Sequence, residues 1–215
     1  MGSEKSRIRL GLSKRKKLPS IKFLGCSYLP WRLPFVLKAA RNWSVQQTGE
    51  NEFLVSRFGM VLRLPTDNLG VLLGEWNEWA KDYIPHFSLK DKVVLDVGAG
   101  AGETASMFFL NGARKVISVE SDLGSIKYLR ANARTNDWNV EIIHDKFKLA
   151  YLSLGADFLK MDCEGCEEAL LFATTLPPCR IEVHSRTLQK ALGTKFGLRV
   201  LRYSFSQDLT SIMGS

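Results

Sequence analysis

The chain has 215 residues, 45% of them hydrophobic and 24% charged. That allows one sizeable domain with appendages and excludes disordered, collagen-like and mucin-like classes for most of its length. The net charge of +8 points to an acidic partner, nucleic acid or an anionic membrane surface. It is unevenly spread. Residues 1–22 hold eight basic side chains (Lys5, Arg7, Arg9, Lys14, Arg15, Lys16, Lys17, Lys22) against Glu4 alone, a net of +7 that leaves +1 for the remaining chain. Four cysteines, Cys26, Cys163, Cys166 and Cys179, do not make a disulfide framework at this length. No apolar segment follows the basic start and no run reaches about 18 apolar residues, so secretion and membrane spanning find no support and a cytoplasmic setting is expected. Met1 to Ser6 fits the loose N-myristoylation pattern ahead of a polybasic stretch, a match too short and degenerate to assign an anchor.

In chain order, residues 1–28 read as a basic flexible arm, and 29–90 as a helical and hairpin extension of the domain at 91–215. Pro30 and Pro34 mark the first boundary. Phe35 to Trp43 reads as a short helix. Glu52–Phe58 and Met60–Leu64, split by Gly59, read as a hairpin. Leu72, Trp76, Trp79 and Tyr83 fall at helical spacing within Gly70–Ile84, the inward stripe of a packed helix. From Lys92 onward strands and helices alternate. Strands are expected at 93–97, 115–120, 140–144, 156–161, 180–184 and 198–205, with a weak seventh at 209–213. The helices between them are expected after the glycine turn to Leu110, then at 125–135, 167–173 and 187–196. This is the pattern of an α/β fold with a doubly wound, mostly parallel sheet. No internal repeat interrupts it.

The first of these strands ends in Asp96 and runs into Gly98-Ala99-Gly100-Ala101-Gly102. Glycines permit positive φ and let a ligand approach the backbone with no Cβ in the way. The spacing is G-x-G-x-G, not the G-x-G-x-x-G of dinucleotide sites, and Glu103 stands where a pyrophosphate would need the helix N-terminus free. An acid there suits a cation. Glu120 closes the second strand 18 residues after Gly102, placed to take both hydroxyls of a ribose. An adenosine that carries positive charge and no phosphate describes S-adenosylmethionine.

Residues 96–104 and 116–120 resemble the first two motifs of class I S-adenosylmethionine-dependent methyltransferases. Leu159-Lys160-Met161-Asp162-Cys163-Glu164-Gly165-Cys166-Glu167 and Ile181-Glu182-Val183-His184 are similar to the K-I-D-v-E-G-x-E and E-v-H segments of that superfamily's FkbM branch. The likeness covers roughly residues 50–205. It implies a Rossmann-like methyltransferase fold in which Asp96, Gly98, Ala99, Gly100 and Gly102 form the floor under the methionine part of the cofactor. Thr104 would orient the cofactor carboxylate and Glu120 hold the ribose. Ser121 would lie beside the adenine, Asp145 at the adenine amino group, and Asp162 where methyl and acceptor meet.

A hydroxyl acceptor must lose a proton, and Asp162, Glu164 and His184 are the candidate catalytic groups. His184 reads equally well as a residue that caps its strand, and Glu167 as an acid that favours a helix N-terminus. Cys163 and Cys166 read as packed cysteines. Cys26 and Cys179 supply no second pair for zinc, and neighbouring glutamates disfavour a reactive thiolate. A divalent cation at Asp162, Glu164 and His184 would find only three ligands, so no metal is assigned. The fourth strand lacks the Asn/Asp-Pro-Pro-aromatic segment of amine-directed enzymes, which favours oxygen. The expectation is O-methylation of a small-molecule or glycan acceptor. Two alternatives remain open: an RNA methyltransferase whose basic arm contacts phosphates, and a catalytically silent domain that binds the cofactor or RNA.

Overall fold

A computed structural model describes residues 21–23, 26–28, 33–203 and 211–214. The chain runs β1 (Ile21–Phe23), β2 (Cys26–Tyr28), α1 (Leu33–Ala40), β3 (Ser44–Gly49), β4 (Glu52–Arg57), β5 (Met60–Pro65) and α2 (Thr66–Asp82). It continues β6 (Val93–Val97), α3 (Glu103–Leu110), β7 (Lys115–Glu120), α4 (Leu123–Thr135), β8 (Val140–His144) and β9 (Phe158–Met161). Then come β10 (Cys179–Val183), α5 (Arg186–Phe196), β11 (Arg199–Tyr203) and β12 (Ser211–Gly214). Residues Leu149–Ser153 and Cys166–Phe172 form 3-10 turns; the second stands where a regular helix is expected.

Seven strands form the central sheet in the order β11-β12-β10-β9-β6-β7-β8, parallel except for β12, which pairs antiparallel with both neighbours. The strand expected at 209–213 is thus Ser211–Gly214, inserted between the fifth and sixth; Leu209 and Thr210 lie outside the described residues. The run β6-β7-β8 proceeds to one side, and β9 returns to the other side of β6. That reversal opens a crevice at the carboxyl ends of β6 and β9, where open α/β sheets take their ligands. All residues of β6 and β9 are buried, as a strand covered on both faces requires.

The amino-terminal part departs from expectation in three places. Most of the proposed arm lies outside the described residues, but β1 and β2 pair antiparallel within it, so the arm reading does not extend to Ile21–Phe23 and Cys26–Tyr28. The hairpin carries a third strand, β3, which gives the sheet β3-β4-β5. β3 is polar and largely exposed, so it lacks the alternation that would reveal it. Nor is the extension an independent unit. Its apolar cluster of Val36, Trp43, Phe53, Leu62, Leu72 and Trp76 includes Ala101 and Met107 of the glycine turn and α3.

Two asparagines of α4 fasten that extension. Asn136 accepts from Val61 N–H (2.8 Å) and donates to Val61 C=O (2.7 Å). Asn132 does the same with Arg63 (2.7 and 3.0 Å) and also donates to Ala101 C=O (2.9 Å). The fit is dimensional. Four residues of helix rise about 6 Å and two of strand about 6.6 Å, so side chains at i and i+4 meet every second residue of the outer edge of β5. Each carboxamide presents the acceptor and donor of a peptide group.

Candidate active site

The glycine turn is held from three sides. Gly98 N–H donates to Val119 C=O (2.9 Å), Gly100 N–H to the Glu120 carboxylate (2.9 Å), and the Lys160 ammonium to Gly98 C=O (2.8 Å). Gly98 has φ +73°, and a Cβ there would stand 1.8 Å from Asp162 C=O. The turn and the end of β9 therefore touch through backbone, which only glycine allows. The Glu120 carboxylate also accepts from Asp122 N–H (2.7 Å).

Beneath the turn, Asp96 and Lys160 are both buried, with Nζ 3.2 Å from Oδ1, and the Thr104 hydroxyl donates to the other Asp96 oxygen (2.6 Å). Burial pushes the Asp96 carboxyl up despite these partners. Burial also opposes the Lys160 charge, but Asp96 and Asp162 outweigh it and hold the ammonium above its ordinary value. Thr104 thus meets Asp96, a partner inside the fold. Asp145, just beyond β8, is engaged by Lys148 and by the Tyr151 hydroxyl, and the Ser121 carbonyl lies 3.2 Å from His144 Nε2.

A cleft of about 200 Å³ opens over the turn, lined by Asn68, Trp79, Gly98, Gly100, Glu103 and Asp162, among others. Trp76 and Trp79 part company here: Trp76 is core, whereas Trp79 is only partly buried and faces the cleft. Glu103 is buried and accepts from the Asn68 amide (2.6 Å). Its carboxyl is raised by burial against the pull of that bond.

Beside Asp162, at the edge of the cleft, three elements converge. Tyr83, at the end of α2, contacts Asp162 Oδ2 (2.9 Å) and Glu182 Oε2 (2.7 Å) through its hydroxyl. His184 follows β10, with Nδ1 3.0 Å from Glu167 Oε1. Its Nε2 lies 3.4 Å from Glu164 Oε2 and 3.8 Å from Glu182 Oε1. Burial, then Asp162, raises Glu182 to about 7. The buried Tyr83 phenol stands well above its ordinary value, through burial and then Asp162 and Glu182. For His184 burial works against the charged form, but Glu167 and Glu164 prevail and raise it.

Of the candidate catalytic residues, Asp162, Glu164 and His184 all belong to this cluster. Tyr83 and Glu182 do as well, and sequence reasoning missed both as site residues. An acid near the carboxyl end of a buried strand, two residues before His184, was the available signal for Glu182; Tyr83 carried none beyond its helical spacing. Glu167 does more than expected: in the first turn of Cys166–Phe172 it accepts from Gly165 N–H (2.8 Å) at the helix N-terminus, and its side chain, 1% exposed, also meets the His184 ring. Cys163 and Cys166 correct an expectation. They are joined as a disulfide, because positive φ at Glu164 and Gly165 curls the chain until the Cα atoms lie 5.5 Å apart; Cys179 is a buried thiol outside that bond.

The structure is similar to that of M. jannaschii TYW2 in complex with AdoMet (TM-score 0.55, 17% identity, 80% of this chain and 87% of that one). Methanocaldococcus jannaschii Trm5 in complex with adenosine gives a TM-score of 0.54 at 16% identity over 79% of this chain and 56% of that one. These likenesses establish the Rossmann-like fold. In sequence, the chain is 28% identical over 115 residues, half of its length, to ribosomal RNA small subunit methyltransferase G of Orientia tsutsugamushi (strain Boryong). It is 30% identical over 109 residues, 46% of its length, to uncharacterized protein 158B of Sulfolobus islandicus rod-shaped virus 1. The matches span 57% and 62% of those two relatives. No protein-family model matches the chain. Among the described residues, no helix is long and apolar enough to cross a membrane.

Proposed function

We propose that this chain is an S-adenosylmethionine-dependent methyltransferase that acts on a hydroxyl oxygen of RNA. The observation that carries the reading is a cleft over a glycine turn that abuts Glu120 and Glu103, with Asp162 in its lining and Glu164, Glu182 and His184 clustered beside Asp162. The acid-rich lining fits a cationic donor without phosphates, and the fold is one on which such donors are bound.

S-adenosylmethionine, when bound, supplies a methyl group already activated on a sulfonium sulfur. The residues of this chain then have modest work. The turn from Asp96 to Gly102 would form the floor beneath the cofactor, Glu120 would receive the ribose hydroxyls, and Ser121 and Asp145 would flank the adenine. Asp162, held by Tyr83, would position an acceptor hydroxyl for transfer. The cluster of Asp162, Glu164 and His184 would take the proton that this hydroxyl loses.

RNA is favoured as acceptor by the ribosomal RNA methyltransferase among the partial relatives and by the +7 of residues 1–22, which suits phosphate contacts. The nearly neutral body keeps the small-molecule or glycan acceptor implied by the motif resemblance as the second reading. Transfer of labelled methyl groups to cell extract, sorted into RNA, glycan, lipid and protein pools, separates them. Label in RNA that falls when residues 1–22 are deleted is the expected outcome. Label in the glycan or small-molecule pool selects the second reading. Cofactor binding with no label anywhere marks a silent binding domain.

A further inference from the structure

The cluster at the acceptor end is short of positive charge, and the shortage can be counted in protons. The Tyr83 hydroxyl has one proton, yet its oxygen stands at hydrogen-bond distance from two carboxylates, Asp162 and Glu182. The His184 ring has a similar difficulty. Nδ1 faces the buried carboxylate of Glu167 and donates to it in the neutral ring, which leaves the Nε2 lone pair aimed toward Glu182 and Glu164. Lys160, the nearby cation, is already engaged by Asp96 and by the Val97 and Gly98 carbonyls. The geometry leaves room for two positive equivalents, one on each side of Glu182, as two protons or as one divalent cation.

We infer that a divalent transition-metal cation binds between Asp162, Glu182 and His184. One carboxylate oxygen of each acid and one ring nitrogen lie within 4.8 Å of one another, a spread that metal–ligand bonds of about 2.1 Å can gather with small side-chain rotations. Glu182 Oε1 and His184 Nε2, at 3.8 Å, are too far apart for a hydrogen bond and at the separation of two ligands that share an ion. Two oxygens and an imidazole favour Mn²⁺, Fe²⁺ or Zn²⁺ over Mg²⁺ or Ca²⁺, which take oxygen alone. Glu167 completes the pattern. A histidine that binds metal characteristically donates its other ring N–H to a carboxylate, which fixes the tautomer and the ring plane. Glu164, exposed at 83%, is free to swing in as a further ligand or to take up the acceptor's proton. Asp162 also lines the cleft, so an acceptor hydroxyl held there could bind the ion as a ligand and lose its proton more readily. This role rests on the methyl-transfer reading; the binding itself does not.

The test uses the full chain, freed of metal with chelator, and Mn²⁺ alone as probe, followed by calorimetry and by loss of the free-ion electron paramagnetic resonance signal. One Mn²⁺ per chain is expected, undisturbed by a tenfold excess of Mg²⁺. His184→Ala and Glu182→Gln should each weaken it at least tenfold, Glu167→Gln about tenfold or more, and Glu141→Gln, on the far edge of the sheet, not at all. Thermal melting of each variant without metal reports whether it has folded. Absence of Mn²⁺ binding to the folded chain overturns the inference and leaves two protons, on Glu182 and His184, to fill the gap. Binding that is unchanged in both His184→Ala and Glu182→Gln also overturns it, since the ion then sits elsewhere. Failure of S-adenosylmethionine to bind while Mn²⁺ does would instead remove the proposed function and keep the metal.

Discussion

The donor end, in the cleft, and the acceptor end, the cluster beside Asp162 at the cleft's edge, are built in opposite ways. The donor end consists of backbone contiguous in sequence: seven residues from Asp96 to Gly102, closed by hydrogen bonds to Val119, Glu120 and Lys160. The acceptor end consists of side chains from Tyr83, Asp162 and the Glu182–His184 strand end, separated by up to 101 positions and joined by hydroxyl, carboxylate and imidazole. A backbone site tolerates few substitutions because it depends on space and φ. A side-chain site tolerates many without unfolding, but its electrostatics shift with each. Stability should therefore follow the donor end and the chemistry of the acceptor the other.

The largest effect expected is that of Lys160→Met, which leaves Asp96 buried without its cation. A loss of about 3–5 kcal/mol, measured by chemical unfolding, would place this ion pair at the centre of the donor end. A near-neutral result would break the contrast, because the pair could then be exchanged for apolar packing. Gly98→Ala should follow, at about 3 kcal/mol, since its Cβ collides with the Asp162 carbonyl and neither backbone can yield. Calorimetry should find S-adenosylmethionine binding abolished. Asn132→Ala removes three hydrogen bonds and should cost about 2 kcal/mol, with cofactor affinity kept within threefold in whatever remains folded. Tyr83→Phe sharpens the contrast from the other side: methyl transfer should drop about tenfold while cofactor affinity changes less than threefold. Equal losses in both would merge the two ends into one.

The smallest effect concerns acid. Val93 N–H, then Lys92, hold the Asp157 carboxyl below its ordinary range. A group lowered on folding stabilises above its unfolded value, and that contribution fades as pH falls through the folded one. Wild type should lose a little more stability than Asp157→Asn on going from pH 5 to pH 2, as read from melting temperatures.

The same division explains what the sequence disclosed. The strands of the central sheet are apolar runs bounded by turns, so β6, β7 and β10 lie within a residue or so of their expected bounds. The glycine turn is local and equally plain. Asp162, Glu164 and His184 stand out as candidates because motif and strand end coincide. Glu182, two residues before His184, was quoted in the motif and given no role. Tyr83 was assigned to a packed stripe because nothing local distinguishes a tyrosine that reaches across the molecule. The second partner of Glu167, His184, lies 17 positions away and gives no local signal, and the Cys163–Cys166 bond depends on a left-handed turn at Glu164, a residue that seldom adopts one.

The asparagine pair on α4 carries a consequence of a different kind. A three-stranded sheet ordinarily ends in a row of open peptide groups that can recruit a strand from another molecule. Here Asn132 and Asn136 occupy the outer edge of β5 as a dummy strand, supplying donors and acceptors at the correct interval while their helix forbids any further addition. A chain in which both are replaced should therefore do more than soften. Its β5 edge becomes a template, and aggregates that grow by strand addition, detectable by dye binding and light scattering, are the form its failure should take.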